Sequence, residues 1–502
     1  MLSAGLCVVA ALLVICVTHW IYKWRNPKCK NGVLPPGSMG LPFIGETLSL
    51  IIPSNSLALH PFIKKRIERY GPVFRTNVAG RSLIVTTDPE FNYFIMQRDG
   101  KLVESWYLDA FAKVFAQSGE IKPDTAHIHK YVRNTALRWF GMESLKDRLL
   151  PQIEVLAKKT LAKWASKESI DVKSEAATVS IDFGAQQLFS YNPEKSPEQI
   201  SELFKDLIQG LMSFPLNIPG TMYHKCIKNH KKVLDMMRVE LKERRMSPDS
   251  RRGDLLDHIM KEADNEKFLT EEFIVQLMYS LIFVFSDSLS TTLALAVTLL
   301  DEHPLALQEL IAEHETILKN KENPNSPLTW NDYKSMTFTL QVINETLRLA
   351  NISPGLFRKA TEDIQFKGTN HRKLAIYVSY DHYKRLTNNN IFVGYTIPAG
   401  WPILIAAPAV HLNSTKFEDP LSFNPWRWKE LQSSFITKSF MPFGFGLKQC
   451  AGAEYSRVLL STFLHTLVSK YRWTKVKDVK FVRAPILKFP NGFQFKISAK
   501  NN

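Results

Sequence analysis

The chain has 502 residues, 45% hydrophobic and 22% charged, with a formal net charge of +16. About three domains fit in that length, but no Ser/Gly/Pro-rich linker or internal repeat follows residue 45, so one large domain with an extensive core is expected. Five cysteines (Cys7, Cys16, Cys29, Cys226 and Cys450) exclude a disulfide framework and point to a reducing compartment, and the scattered Lys and Arg, without a recognised nucleic-acid motif, leave an anionic membrane surface or an acidic protein as the expected partner rather than nucleic acid.

The first element is Ala4–Tyr22, AGLCVVAALLVICVTHWIY, which carries no charge other than that of a protonated His19. As a helix it spans roughly 29 Å, close to the hydrocarbon thickness of a bilayer. Trp20, Tyr22 and Trp24 suit the interface, and Lys23, Arg25, Lys28 and Lys30 follow, with no Lys or Arg before the run. That asymmetry orients the following chain to the cytosol. A cleaved signal peptide would need a basic n-region and a small-residue cleavage site, and neither is present. Residues 1–25 are therefore expected to form a single-pass anchor with its basic flank, 26–45 a Pro/Gly-rich linker, and 46–502 the catalytic body. LPPGSMGLPFIGE, 34–46, reads as a stiff connector. The sequons at Asn351 and Asn413 should stay unglycosylated in a cytosolic body.

Beyond residue 60 the pattern is mainly helical with a minor β component. Short strands are expected near Phe74–Val78, Ser82–Thr86, Ile364–Phe366, Ile403–Ile405 and Gly492–Ile497. The most apolar internal segment, Leu277–Leu300, has Asp287 as its only charge. Thr270 caps its start and His303-Pro304 ends it. It is either a second membrane span, as in a multi-span transporter, or the central helix of the core. The polar group Ser286, Asp287, Ser288, Ser290, Thr291 and Thr292 favours a core helix passing a polar site. Glu345 and Arg348, at i and i+3, share a helix face, ordinarily as a surface ion pair of small effect.

FMPFGFGLKQCAGAEYSR, 440–457, sets Cys450 between a glycine-rich loop and the amphipathic helix Ala453–Tyr471. A helix N-terminus favours a thiolate, and Lys448 adds a cation two residues away. The thiol could be a small buried hydrophobe, a low-pKa nucleophile or an axial ligand to haem iron; no Cys/His spacing supports structural zinc.

FGFGLKQCAG resembles the haem-binding loop of the cytochrome P450 family, Phe-x-x-Gly-x-Arg-x-Cys-x-Gly. Phe443, Gly446, Cys450 and Gly452 match, and Lys448 stands where the family has Arg, keeping a cation but losing its bidentate fork. The resemblance extends in order to HKYVR, ETLR and FNPWRW. It implies that Glu345, Arg348 and Arg427 interlock, that Cys450 binds the iron, and that His129, Arg133, Arg358 and Lys448 hold the haem propionates. FPLNIPGTMYHKCIK (214–228) and KLVESWYLDAF (101–111) look like the plant branch that oxidises sterols, brassinosteroids and triterpenoids. The implied fold is that of the family, and the implied reaction inserts one oxygen atom of O2 into a C–H bond of an apolar substrate. Electrons come from NADPH through a flavoprotein reductase, on the endoplasmic reticulum membrane. Asp287 and Ser288 are implied to handle protons.

Two features depart from the family. Its central helix carries Ala/Gly-Gly-x-Asp/Glu-Thr-Thr/Ser, where this chain has Val284-Phe285-Ser286-Asp287-Ser288-Leu289. Phe285 in place of glycine is expected to narrow the space over the iron or tilt the helix, and a serine hydroxyl can open a helix by bonding back to a carbonyl. A haem-thiolate isomerase or dehydratase working without O2, and a haem-free protein of the same fold, are the alternatives. The second departure is an insertion at 369–393, which splits DIQFKG from GYTIPAGW. It reads as a retained intron or a genuine surface loop, and a junction-spanning transcript read separates the two.

Overall fold

The computed structural model describes residues 2–29, 31–115, 125–205, 207–247, 252–323, 325–367, 394–484 and 486–500. The expected mainly helical architecture with a minor β region is what forms. A five-stranded sheet orders Val73–Val78, Arg81–Thr86, Pro402–Ile405, Leu356–Ala360 and Val103–Ser105 side by side. Arg81–Thr86 runs parallel to Pro402–Ile405, with Ile84 opposite Ile403. The strands at 103–105 and 356–360 escape a sequence reading because each is short and acquires its partner from far along the chain. The expected C-terminal strand begins at Gln494 rather than Gly492. Gly492 turns at φ +66°, and Asp171 caps the next amide, Phe493 N–H, at 3.0 Å.

Leu2–Arg25 is one continuous helix, and from Leu6 to Tyr22 most of its apolar side chains are exposed. The other long apolar stretch, Glu271–Glu302, is 72% buried inside the body, which makes it the core helix and not a second span. Thr270 accepts Phe273 N–H at its start, as the sequence implied. The helix is not continuous. It runs Glu271–Val284, breaks at 285–287 and resumes as Ser288–Glu302. Phe285 and Ser286 N–H bond back three residues, to Ile282 and Phe283, and Ser286 Oγ takes Phe283 O at 2.7 Å. Competition from the hydroxyl for ladder carbonyls is the physical cause of the opening.

Phe285 turns into the core at this break. Its ring meets Phe140 at 5.3 Å and Tyr455 at 5.4 Å, both edge-on. It lies against Gly184 in the helix Val172–Phe189, where a Cβ would come within 2.7 Å of the ring. The bulk that replaces the family glycine is therefore accommodated by a glycine on the facing helix. Gly184→Ala is expected to cost about 1–3 kcal/mol by overpacking. Thermal unfolding should show that loss, and the same change in a Phe285→Ala background should show little of it.

The hairpin Ile364–Lys367 with Gly394–Ile397 brackets the insertion, which lies outside the described residues. Phe366 pairs with Tyr395. Removing residues 369–394 would join that pair through Lys367-Gly368, a two-residue link of the commonest hairpin length. The shortened protein is expected to melt within about 3 °C of the full chain, because lengthening a surface loop costs little. A shortened chain that fails to fold would make the segment part of the structure.

Candidate functional site

The residues before Cys450 form a tight loop. Gly444 N–H bonds Met441 O at 3.1 Å, Gln449 N–H bonds Gly446 O at 3.1 Å, and Cys450 N–H bonds Phe443 O at 2.8 Å. Gly444 and Gly446 sit at φ +69° and +70°, and a Cβ on Gly446 would lie 2.7 Å from Met96 O. Backbone sign favours glycine at both positions, and at Gly446 space requires it as well. The Arg457 guanidinium stacks 4.9 Å over the Phe443 ring. The helix Ala453–Lys470 follows, one residue shorter than expected.

Cys450 is accessible, yet the surrounding protein raises its pKa by desolvation. The Gly452 N–H and the charges of Arg133 and Arg457 oppose that rise only in part. This corrects the expectation from the helix N-terminus alone: burial outweighs the dipole, so a free thiol here stays protonated. A nucleophile would need the opposite shift. A metal ligand does not, because coordination itself removes the proton. Among the described residues no cluster of three or more His, Cys, Asp or Glu could hold a metal by itself.

Around this thiol stand the other cofactor candidates. Arg133, on the helix Thr125–Phe140, donates to Gln449 O. Arg358 is buried in an ion pair with Asp99, Nε to Oδ2 2.7 Å. Desolvation and the positive charges of Lys448, Arg133 and Arg358 lower the His129 pKa, so His129 is neutral near pH 7. Lys448 is also lowered, by desolvation and by Arg358, against the pull of Asp99. Around the neutral His129, the three cations Lys448, Arg133 and Arg358 thus stand against the single carboxylate of Asp99. A group bearing two carboxylates suits that imbalance. Asp99 itself was not legible, because RDGKL gives no sign of which arginine it will meet.

Asp287 and Ser288 part company at the helix break. Asp287 Oδ1 pairs with Lys173 at 2.8 Å. Ser288 is exposed, as is Val284 (57%), the last residue of the helix before the break. The accessible sulfur and the cations beside it fit a macrocycle that carries two carboxylates. Haem meets that description.

Glu345, Arg348 and Arg427 interlock. Glu345 Oε1 accepts Arg348 Nη2 at 2.7 Å and Arg427 Nε at 3.0 Å. Glu345 Oε2 accepts Arg348 Nε at 2.9 Å and Trp428 Nε1 at 3.0 Å. Glu345 and Arg348 have no exposed side-chain surface, so this is a buried network rather than a surface pair.

The sequence model described as Cytochrome P450 matches residues 35–376 and 372–497. The two pieces meet inside the insertion. The chain is 45% identical over 492 residues to a beta-amyrin 16-alpha-hydroxylase of Maesa lanceolata, covering 98% of each chain. It is 45% identical over 491 residues to a cucurbitadienol 11-hydroxylase of Siraitia grosvenorii, again covering 98% of each. A retinoic acid-bound cyanobacterial structure superposes with a TM-score of 0.77 at 23% identity, covering 94% of this chain and 100% of that one, a likeness of fold alone.

Proposed function

This chain belongs to the cytochrome P450 family, and on that premise we propose that it is a haem-thiolate monooxygenase hydroxylating an apolar triterpenoid or sterol-like molecule at a membrane surface. The observation that carries the reading is the accessible Cys450 sulfur beside three cations, Arg133, Arg358 and Lys448, set against the single Asp99 carboxylate.

Cys450 would bind the haem iron. His129, Arg133, Arg358 and Lys448 would hold the two propionates, and Phe443, in the same loop as Cys450 and braced by Arg457, would lie next to the bound group. Bound there, haem supplies oxygen activation, with thiolate electron density favouring O–O cleavage. Hydroxylation would consume one O2, two protons and two electrons from NADPH, giving the alcohol and one water. Ser288 Oγ, on the accessible face, holds a proton or water near the substrate. The Asp287 carboxylate, paired with Lys173 at a half-exposed position, exchanges protons with solvent. Phe285 is turned away from that face into the Gly184 contact, which supports ordinary hydroxylation rather than rearrangement without O2.

Leu2–Arg25 is the anchor in the endoplasmic reticulum membrane, and the body is cytosolic. Exposed apolar residues beyond it, Phe43 (74%), Ile52 (62%) and Phe214 (79%) among them, suit partial burial in lipid, through which an apolar substrate enters. Trp20 meets Phe43 at 5.4 Å, tying the anchor to the linker. The net charge suits an acidic NADPH-dependent flavoprotein reductase. Asn351 is buried, so its sequon is closed on either side of the membrane.

The test is a reduced carbon monoxide difference spectrum of the purified protein, followed by turnover of beta-amyrin-type triterpenes and sterols with NADPH and reductase. A band at about 450 nm and an NADPH-dependent hydroxylated product are expected. Rearrangement of a hydroperoxide into its own isomer, with no hydroxylated triterpene formed from NADPH and O2, would overturn hydroxylation in favour of isomerisation.

A further inference from the structure

Between the Glu345 network and the Cys450 loop lies one buried histidine that the reading above does not use. His411 ends the short helix Ala407–His411 and is 1% exposed. Its Nε2 accepts the N–H of Met441 at 3.0 Å. Its Nδ1 lies 2.7 Å from Asn351 Oδ1, and its own carbonyl accepts Arg348 Nη1 at 3.0 Å. Asn351 Nδ2 donates to Arg348 O at 2.7 Å, which turns Oδ1 toward the imidazole. These bonds fix the tautomer: the proton is on Nδ1, and Nε2 is the acceptor. Burial and the Arg348 charge hold the pKa down to about 3, so the ring is neutral at working pH.

Met441 begins the ligand loop, its carbonyl taking Gly444 N–H. His411 is thus a bridge from Arg348 to the loop, with one end on each. We infer that His411 is a positioning residue whose Nε2 acceptor sets the Met441 end of the Cys450 loop, and so the alignment of the sulfur toward the cofactor. The Nδ1 bond to Asn351 serves stability alone. This rests on the haem-thiolate reading.

The two ring nitrogens can be separated by substitution. Glutamine presents an acceptor near Nε2 without a donor to Asn351. Asparagine presents a donor near Nδ1 but is too short to reach Met441. Asn351→Gly, at φ +44° where glycine is at ease, removes the other partner and leaves the ring on the loop. Full-length His411→Gln, His411→Asn and Asn351→Gly proteins should each melt below wild type. The carbon monoxide spectrum should divide them. His411→Gln and Asn351→Gly keep the thiolate band, and His411→Asn carries about fivefold more of the form lacking it, the effect of one buried hydrogen bond. Loss of the band in His411→Gln or Asn351→Gly overturns the inference, because the loss would then follow network stability. Retention in His411→Asn overturns it as well. Should His411→Asn fail to fold, the other two variants decide. A wild-type protein without the band would instead sink the haem-thiolate reading itself.

Discussion

Cys450→Ser is expected to leave a folded protein that has no band at about 450 nm and turns over at least about a thousandfold more slowly. The sulfur is the one soft, negatively charged ligand available. A serine hydroxyl at the same site keeps the size but stays protonated and cannot push electron density toward the iron. The backbone bond from residue 450 to Phe443 O is indifferent to the side chain, so the loop should persist. Thermal unfolding of the apoprotein should therefore shift by no more than the about 1 kcal/mol ordinary for such a change. Unchanged colour and turnover would remove the basis of the functional reading.

Glu345→Gln is expected to act on the fold first and on the chemistry through it. The carboxylate receives five donors: Arg348 twice, Arg427, Trp428 Nε1 and Asn424 N–H, all within 3.0 Å. An amide keeps one acceptor oxygen and turns an NH2 group toward at least two of those donors. It also leaves two guanidinium groups with no buried counter-charge. Breaking a buried ion pair from one side costs about 3–5 kcal/mol, a large part of the stability of an ordinary domain. Arg348 reaches the carbonyls of His411, Pro420 and Ser422, so the loss spreads to the segment leading into the cysteine loop. Yield of haem-loaded protein and thermal midpoint should both fall sharply. A melting temperature within about 2 °C of wild type would show that the network is not a structural keystone.

Much of the fold could be read locally. The core helix was bounded by Thr270 and His303, and both termini form there, because a cap and a following proline act on their own turn. Four of the five expected strands appear close to where β-branched alternation put them, and the fifth starts two residues late at a Gly492 turn. The candidate site was legible in part for the same reason. A glycine-flanked cysteine before a helix marks itself, and His129, Arg133, Arg358 and Lys448 stood in motifs whose order is distinctive.

The sequence alone determined the N-terminal apolar helix and the helix-rich class, and it marked Cys450 as a candidate ligand, since each depends on residues near one another in the chain. Tertiary structure decided the rest. It turned Phe285 onto Gly184, 101 positions earlier in the numbering, joined Asp287 to Lys173 and Asp99 to Arg358, raised rather than lowered the Cys450 pKa, and set His411 between the ion network and the loop. Such partners are chosen by which helix faces meet and how much water they exclude, and neither quantity is a property of a short stretch of sequence.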